Sequence, residues 1–317
     1  MFIDKLIAGI RKFDNPTVAG LDPKLEYIPA SIREKAFSEC GKGFAGAAEA
    51  IIWFNKRLID ALCDIVPAVK PQLAYYEMYG VEGIRAFTET CRYAKLRGMM
   101  VIADAKRNDI GSTAQAYSAA YLGKTEIAGE KFAACDADAL TVNPYLGIDG
   151  VKPFIEECSA SGKGIFVLVK TSNKSSGQIQ DLITQDGKHI YEKVAELVDE
   201  WSTAAVGKSG YSSIGAVVGA TYPEQAGVLR KIMKRSYFLV PGYGAQGGTA
   251  KDAVSAFNED GLGAVINASR SIMCAWRSDH WSQSYDEESF DQAAREEALR
   301  MKEDIRRALE SKKDKND

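Results

Sequence analysis

Two lysines and two aspartates stand where charge can do chemistry. In the run Val101-Ile102-Ala103-Asp104-Ala105-Lys106-Arg107-Asn108-Asp109, an apolar strand leads straight into two carboxylates and an ammonium. Asp104 and Lys106 are two apart, so on an extended strand they share one face. Lys70, in Ala-Val-Lys-Pro-Gln, ends another apolar run. Together with Asp109, these residues can alternate in one network that keeps each ammonium protonated. A locked ammonium is a poor base but a good proton donor and stabiliser of developing negative charge. A Schiff-base lysine would need desolvation or a cationic neighbour, and flanking carboxylates oppose that. The pattern points to protonation of a carbanion without an imine. The competing reading, a salt bridge that merely caps a strand end, would have to recover the desolvation cost of buried charge.

A second group of residues suits an anion. Val240-Pro241-Gly242-Tyr243-Gly244-Ala245-Gln246-Gly247-Gly248 offers convergent backbone N–H groups, with Gln246 as a side-chain donor. Ile266-Asn267-Ala268-Ser269-Arg270 ends in a guanidinium that can grip phosphate with two parallel bonds. A glycine-rich loop by itself is a weak signal. Beside Arg270 it predicts a phosphorylated small molecule as substrate.

These residues need a frame that gathers strand ends. Short apolar runs recur at 17–21, 68–72, 99–103, 139–142, 165–169, 214–218, 237–240 and 264–266, separated by stretches of helical periodicity. In one of these, 48–66, an apolar stripe is broken only by Asn55. Eight strands alternating with helices predict parallel βαβ units closed as a (β/α)8 TIM barrel. An open doubly wound sheet is the alternative, and the count of eight opposes it. In such a barrel the chemistry sits at the C-terminal mouth, and phosphate sites form from the loops after strands seven and eight. Long intervals follow strands 1 and 5. The second begins Thr171-Ser172-Asn173-Lys174-Ser175-Ser176-Gly177, a polar loop placed where barrels carry substrate lids. The expectation is one domain over residues 1–317, with the barrel at about 17–272. A charged helix and tail over 286–317 reads as solvated.

Composition removes whole classes of function. The 317 residues are 46% hydrophobic and carry a net charge of -3, which argues against disorder and against bulk attraction to nucleic acid or anionic membrane. No apolar run reaches membrane-spanning length, and the helical spacing of Phe2, Ile3, Leu6, Ile7, Ile10 and Phe13 is unlike a signal peptide. Six scattered cysteines without C-x-x-C predict free thiols in a reducing cytoplasm. His189 and His280 read as ordinary surface or helix residues, so histidine-based triad or metal chemistry is not expected.

The run Asp104-x-Lys106-x-x-Asp109-Ile110-Gly111-x-Thr113 resembles the signature of the orotidine 5'-phosphate decarboxylases. Gly20-Leu21-Asp22-Pro23, Val69-Lys70-Pro71 and the Gln246 and Arg270 segments are similar to that family's other motifs, in its longer bacterial (type 2) branch. The resemblance implies decarboxylation of orotidine 5'-monophosphate to uridine 5'-monophosphate, without cofactor or metal, in pyrimidine biosynthesis. It further implies that Asp22 binds the ribose hydroxyls and that Lys70 links ribose to the charged network. Asp104 would lie by the substrate carboxylate, Lys106 would protonate C6, and Gln246, Gly247 and Arg270 would hold the phosphate. Asp109, Ile110 and Thr113 would reach into the site of a partner in a homodimer. Thr171, Ser172 and Asn173 are all candidates for reading the pyrimidine. Ser269 departs from the glycine that many shorter members carry before the arginine. Two rival functions are a metal-dependent phosphosugar enzyme of a related barrel, which places an acid where Lys70 stands, and a non-catalytic nucleotide-binding protein.

Overall fold

The computed structural model describes residues 1–244 and 247–314. Eight strands form a closed barrel: β1 (Thr17–Leu21), β2 (Ala68–Pro71), β3 (Met100–Arg107), β4 (Ala139–Val142), β5 (Gly164–Lys170), β6 (Ser212–Val218), β7 (Ser236–Val240) and β8 (Ala264–Ala268). Each pairs in parallel with its sequence neighbours, and β8 returns to β1 with Ala19 opposite Ala268. All eight expected strands are present. Three of them, β3, β5 and β8, run further toward the C-terminal mouth than their apolar runs suggested, because polar residues continue the pairing.

Strand parity divides the core in two. Val18, Ala68, Ile102, Ala139, Phe166, Leu239 and Val265 point into the barrel. The helix Phe2–Phe13 closes the N-terminal end by burying Phe2, Ile3, Leu6, Ile7 and Ile10 against them, with Phe2 edge-on to Phe166 at 5.9 Å. The other strand face, with Ala19, Leu21, Val69, Val101, Leu140 and Val167, packs against the outer helices. Since parity continues along each strand, the next inward positions are Gly20, Lys70, Asp104, Thr141, Leu168 and Asn267. A plugged lower half and a polar upper half follow from one alternation.

Three features differ from the sequence reading. The interval after β1 holds two helices, Ala30–Cys40 and Phe44–Leu62, and Asn55 is buried there, donating to Tyr76 Oη and Thr90 Oγ1. An exposed antiparallel hairpin, Thr125–Ile127 with Glu130–Phe132, was not anticipated. The C-terminal helix Phe290–Lys313 is not merely solvated. Phe290, Ala293, Ala294, Ala298, Met301 and Ile305 form a buried stripe, and Phe290 stacks on Phe54 at 4.9 Å. Its small residues hid that stripe within an otherwise charged sequence.

Candidate active site

The inward residues at the C-terminal ends of the strands line a cleft of about 620 Å³. At its floor lies Asp104, at the end of the apolar part of β3. Lys70 Nζ from β2 donates to Asp104 Oδ2 at 2.7 Å, and Lys106 Nζ donates to Oδ1 at 2.6 Å. Two neutral donors complete the carboxylate: Gln72 Nε2 at 2.9 Å and Thr141 Oγ1 at 2.9 Å. Burial alone would raise the Asp104 carboxyl, but the two ammonium groups outweigh it and hold it well below the usual carboxylate range. Lys70 is likewise disfavoured by burial, yet Asp104 and Asp22 keep its ammonium above the ordinary lysine value. Lys70 Nζ lies 4.0 Å from Asp22 Oδ1. Within one chain the alternating network is therefore Asp22, Lys70, Asp104 and Lys106.

The two lysines are not equivalent. The Lys70 side chain is 5% exposed and that of Lys106 is 44% exposed, so Lys106 presents its ammonium to the cleft. A shift in pairing between Ala103 and Arg107 and a left-handed backbone at Lys106 (φ 48°) turn the strand end over. Thr141 Oγ1 fixes that conformation by accepting the Lys106 N–H at 2.9 Å. A non-glycine residue in this region is strained, and such strain concentrates at functional sites.

Asp22 follows β1, on the far side of Lys70 from Asp104. Burial pushes its carboxyl upward, while Lys70 and the Ser269 hydroxyl pull it down. Ser269 occupies the space where a Cβ at residue 20 would lie, with Oγ only 2.0 Å from that position. Glycine at 20 thus leaves the room that the Ser269 hydroxyl occupies beside the Asp22 strand end. Thr171, Ser172, Asn173 and Arg270 line the same cleft. Gly247 does not, and Gln246 lies outside the described residues.

Asp109, Ile110 and Thr113 stand apart from this cleft. Asp109 Oδ1 accepts the Ile110 N–H at 2.8 Å, and among the described residues Asp109 forms no ion pair. Ile110 is 53% exposed. Neither histidine lines the cleft: His189 precedes the helix Ile190–Ser202 with Nδ1 2.8 Å from the Asp181 carbonyl, and His280 lies edge-on to Trp281. All six cysteines are free thiols. Among the described residues no three His, Cys, Asp or Glu side chains group as metal ligands, and no helix is long and apolar enough to cross a membrane. Sequence reasoning missed Thr141, Gln72 and Asn267 as cleft residues. The signal for Thr141 and Asn267 was parity, each two positions beyond an inward apolar residue.

Residues 48–277 match the model of the orotidine 5'-phosphate decarboxylase / HUMPS family. The chain belongs to that family. An orotidine 5'-phosphate decarboxylase of Rhodopirellula baltica is 46% identical over 305 residues, covering 96% of this chain and 99% of the relative. One from Caldicellulosiruptor bescii is 41% identical, covering 97% and 99%. Among solved structures, a putative orotidine-monophosphate decarboxylase of Toxoplasma gondii aligns with a TM-score of 0.75 at 31% identity, over 95% of this chain and 97% of that one. The OMP decarboxylase of Leishmania donovani aligns at 0.72 with 30% identity, over 97% and 98%. The family match spans the barrel from β2 to β8 and takes in Lys70, Asp104 and Lys106 of the charged network.

Proposed function

We propose that this protein, acting as one catalytic domain, decarboxylates orotidine 5'-monophosphate to uridine 5'-monophosphate and carbon dioxide in pyrimidine biosynthesis, with Lys106 as proton donor. The observation that carries this reading is the exposed ammonium of Lys106, 2.6 Å from a carboxylate that Lys70, Gln72 and Thr141 hold ionised at the cleft floor. The C6–carboxylate bond breaks, its electron pair stays on C6, and the Lys106 proton moves to that carbon. Solvent then reprotonates the lysine. No ring carbonyl is positioned to delocalise an in-plane carbanion, so stabilisation must come from the fixed ammonium and from binding energy at remote groups.

Those remote groups divide the nucleotide among the walls of the cleft. Arg270, with Gln246 and Gly247, takes the phosphate. Asp22 accepts from the ribose hydroxyls, and Lys70 bridges the ribose to Asp104, which lies beside the departing carboxylate. Thr171, Ser172 and Asn173 face the pyrimidine. Asp109, Ile110 and Thr113 serve the site of a second copy across a two-fold axis, in a cytoplasmic homodimer. Asp109 supports this because Lys106 of its own chain pairs with Asp104 instead, while Asp109 Oδ1 accepts the Ile110 N–H. The phosphosugar alternative calls for an acid on the second strand, where Lys70 stands buried against Asp104.

The test is the loss of orotidine 5'-monophosphate absorbance with purified protein, with and without EDTA. Turnover indifferent to the chelator is expected. Inactivation by EDTA that magnesium reverses would transfer the protein to the metal-dependent branch, and no turnover in either arm would end the decarboxylase reading.

A further inference from the structure

A third lysine at the barrel mouth takes no part in the chemistry above. Lys170, the last residue of β5, is 0% exposed. A fully buried ammonium is costly unless partners compensate, so its surroundings should reveal its role. By strand parity it would follow Phe166 and Leu168 into the cleft. A pairing shift between Leu168 and Lys170 redirects it: Leu168 lines the cleft, while the Lys170 ammonium lies 4.5 Å from the Tyr222 ring centre and 5.5 Å from that of Tyr191. It ends beneath the loop 171–189. There it donates to Asp181 Oδ1 at 2.5 Å and to Ser176 Oγ at 3.3 Å.

Everything that fixes the start of this loop converges on that point. Gln180, next to Asp181, accepts the Thr171 N–H at 3.0 Å and donates to Thr171 Oγ1 at 2.8 Å. The Asp181 carbonyl is held by His189 Nδ1 at 2.8 Å. On the other side, Thr221 Oγ1 donates to the Ser172 carbonyl at 3.2 Å, and Tyr222 Oη, from the ring over Lys170, donates to the Asn173 carbonyl at 3.3 Å. Gly219 admits this close approach: a Cβ there would lie 2.8 Å from Ser172 Cα. The buried cation thus ties together the strand, the far limb of the loop and the aromatic ring that steadies Asn173.

We propose that Lys170 is a positioning residue for the base-reading wall of the cleft: through Asp181 and Tyr222 it holds Thr171, Ser172 and Asn173 in place against the pyrimidine. This rests on the nucleotide reading of the site. It assigns to Lys170 an effect on ligands that carry the base and none on ligands that end at the ribose.

The test compares uridine 5'-monophosphate with ribose 5-phosphate as ligands, by calorimetry, for the wild-type protein, Lys170→Met and Asp181→Asn. The methionine keeps the apolar stem, and the Asp181 side chain is 40% exposed, so water can solvate the carboxylate left behind. Lys170→Met should weaken uridine 5'-monophosphate about tenfold, the loss of roughly one hydrogen bond to the base, and leave ribose 5-phosphate within about twofold. Asp181→Asn should shift the same ratio in the same direction, and it carries the test if Lys170→Met does not fold. Equal weakening of both ligands with a lower melting temperature would make Lys170 purely structural, and unchanged affinity for uridine 5'-monophosphate in either folded variant would also overturn the proposal. Failure of the wild-type protein to bind the nucleotide would instead remove the reading of the site beneath it.

Discussion

At the scale of single residues, the site depends on how differently two lysines are treated. Lys70 is buried and fixed between two carboxylates, whereas Lys106 reaches the same Asp104 from the open side of the cleft. A donor must meet the substrate, and Lys106 alone of this pair is exposed enough to do so. Lys106→Ala should therefore keep the fold and bind uridine 5'-monophosphate while losing at least about a thousandfold in kcat, within the range of general-acid contributions. Measured turnover within tenfold of wild type would remove Lys106 as donor. Asp104 makes a prediction about pH. Its folded carboxyl lies below the unfolded value of about 3.9, so its stabilising contribution is present above that value and fades as pH falls toward the folded one. In urea titrations, wild type should exceed Asp104→Asn in stability at neutral pH, and the gap should narrow below about pH 4. A gap that stays constant down to pH 3 would mean that the charge pairing does not stabilise the fold.

At the scale of elements, the apolar runs located every barrel strand, and helical periodicity located the helix that plugs the barrel. The charged network was legible because its residues are ionic and stand at strand ends, where a charge is conspicuous. Thr141 and Gln72 were not, since neutral polar side chains at strand ends look like the start of a loop. Lys170 carried the same signal as Lys70 and Lys106 and was passed over because its apolar run seemed to end at Val169. The pairing shift in β5 had no sequence signature, yet it takes Lys170 out of the cleft that parity would give it, whereas parity alone already put Lys106 on the cleft face. The hairpin at 125–132 was invisible for a different reason: its strands are only three residues long and fully exposed, too short for an alternation to stand out. The C-terminal helix shows how small side chains disguise a packed face. Phe290→Ala should cost about 3–5 kcal/mol, as for other buried phenylalanines, through loss of its stacking on Phe54 and of the adjoining core. Urea unfolding measures this directly, and a cost below about 1 kcal/mol would return the helix to the solvated role its charge suggested.

At the scale of the whole molecule, one barrel gathers Asp22, Lys70, Asp104, Lys106 and Arg270 around one cleft, while Asp109 is not among the residues that line it. Asp109 lies three residues beyond Lys106, past the end of β3, beside an exposed Ile110. That combination of a carboxylate without an ion pair among the described residues and an apolar neighbour suits a contact across an interface. The alternative is that Asp109 swings back to Lys106 of its own subunit when substrate arrives. Two inactive variants separate these cases: Lys106→Ala and Asp109→Ala, unfolded and refolded together. If Asp109 serves the neighbouring site, one site of each mixed dimer receives both an intact Lys106 and an intact Asp109. Random pairing makes half of the dimers mixed, and one of the two sites in each is whole, so about a quarter of all sites should recover activity. If Asp109 serves its own chain, both sites of every mixed dimer stay defective and mixing restores nothing. A monomer would give the same null result, so the mass of the mixed species is measured alongside. Mixed dimers of confirmed mass without recovered activity would end the shared-site arrangement, whereas recovery near one quarter would require both the two-fold dimer and the crossing of Asp109.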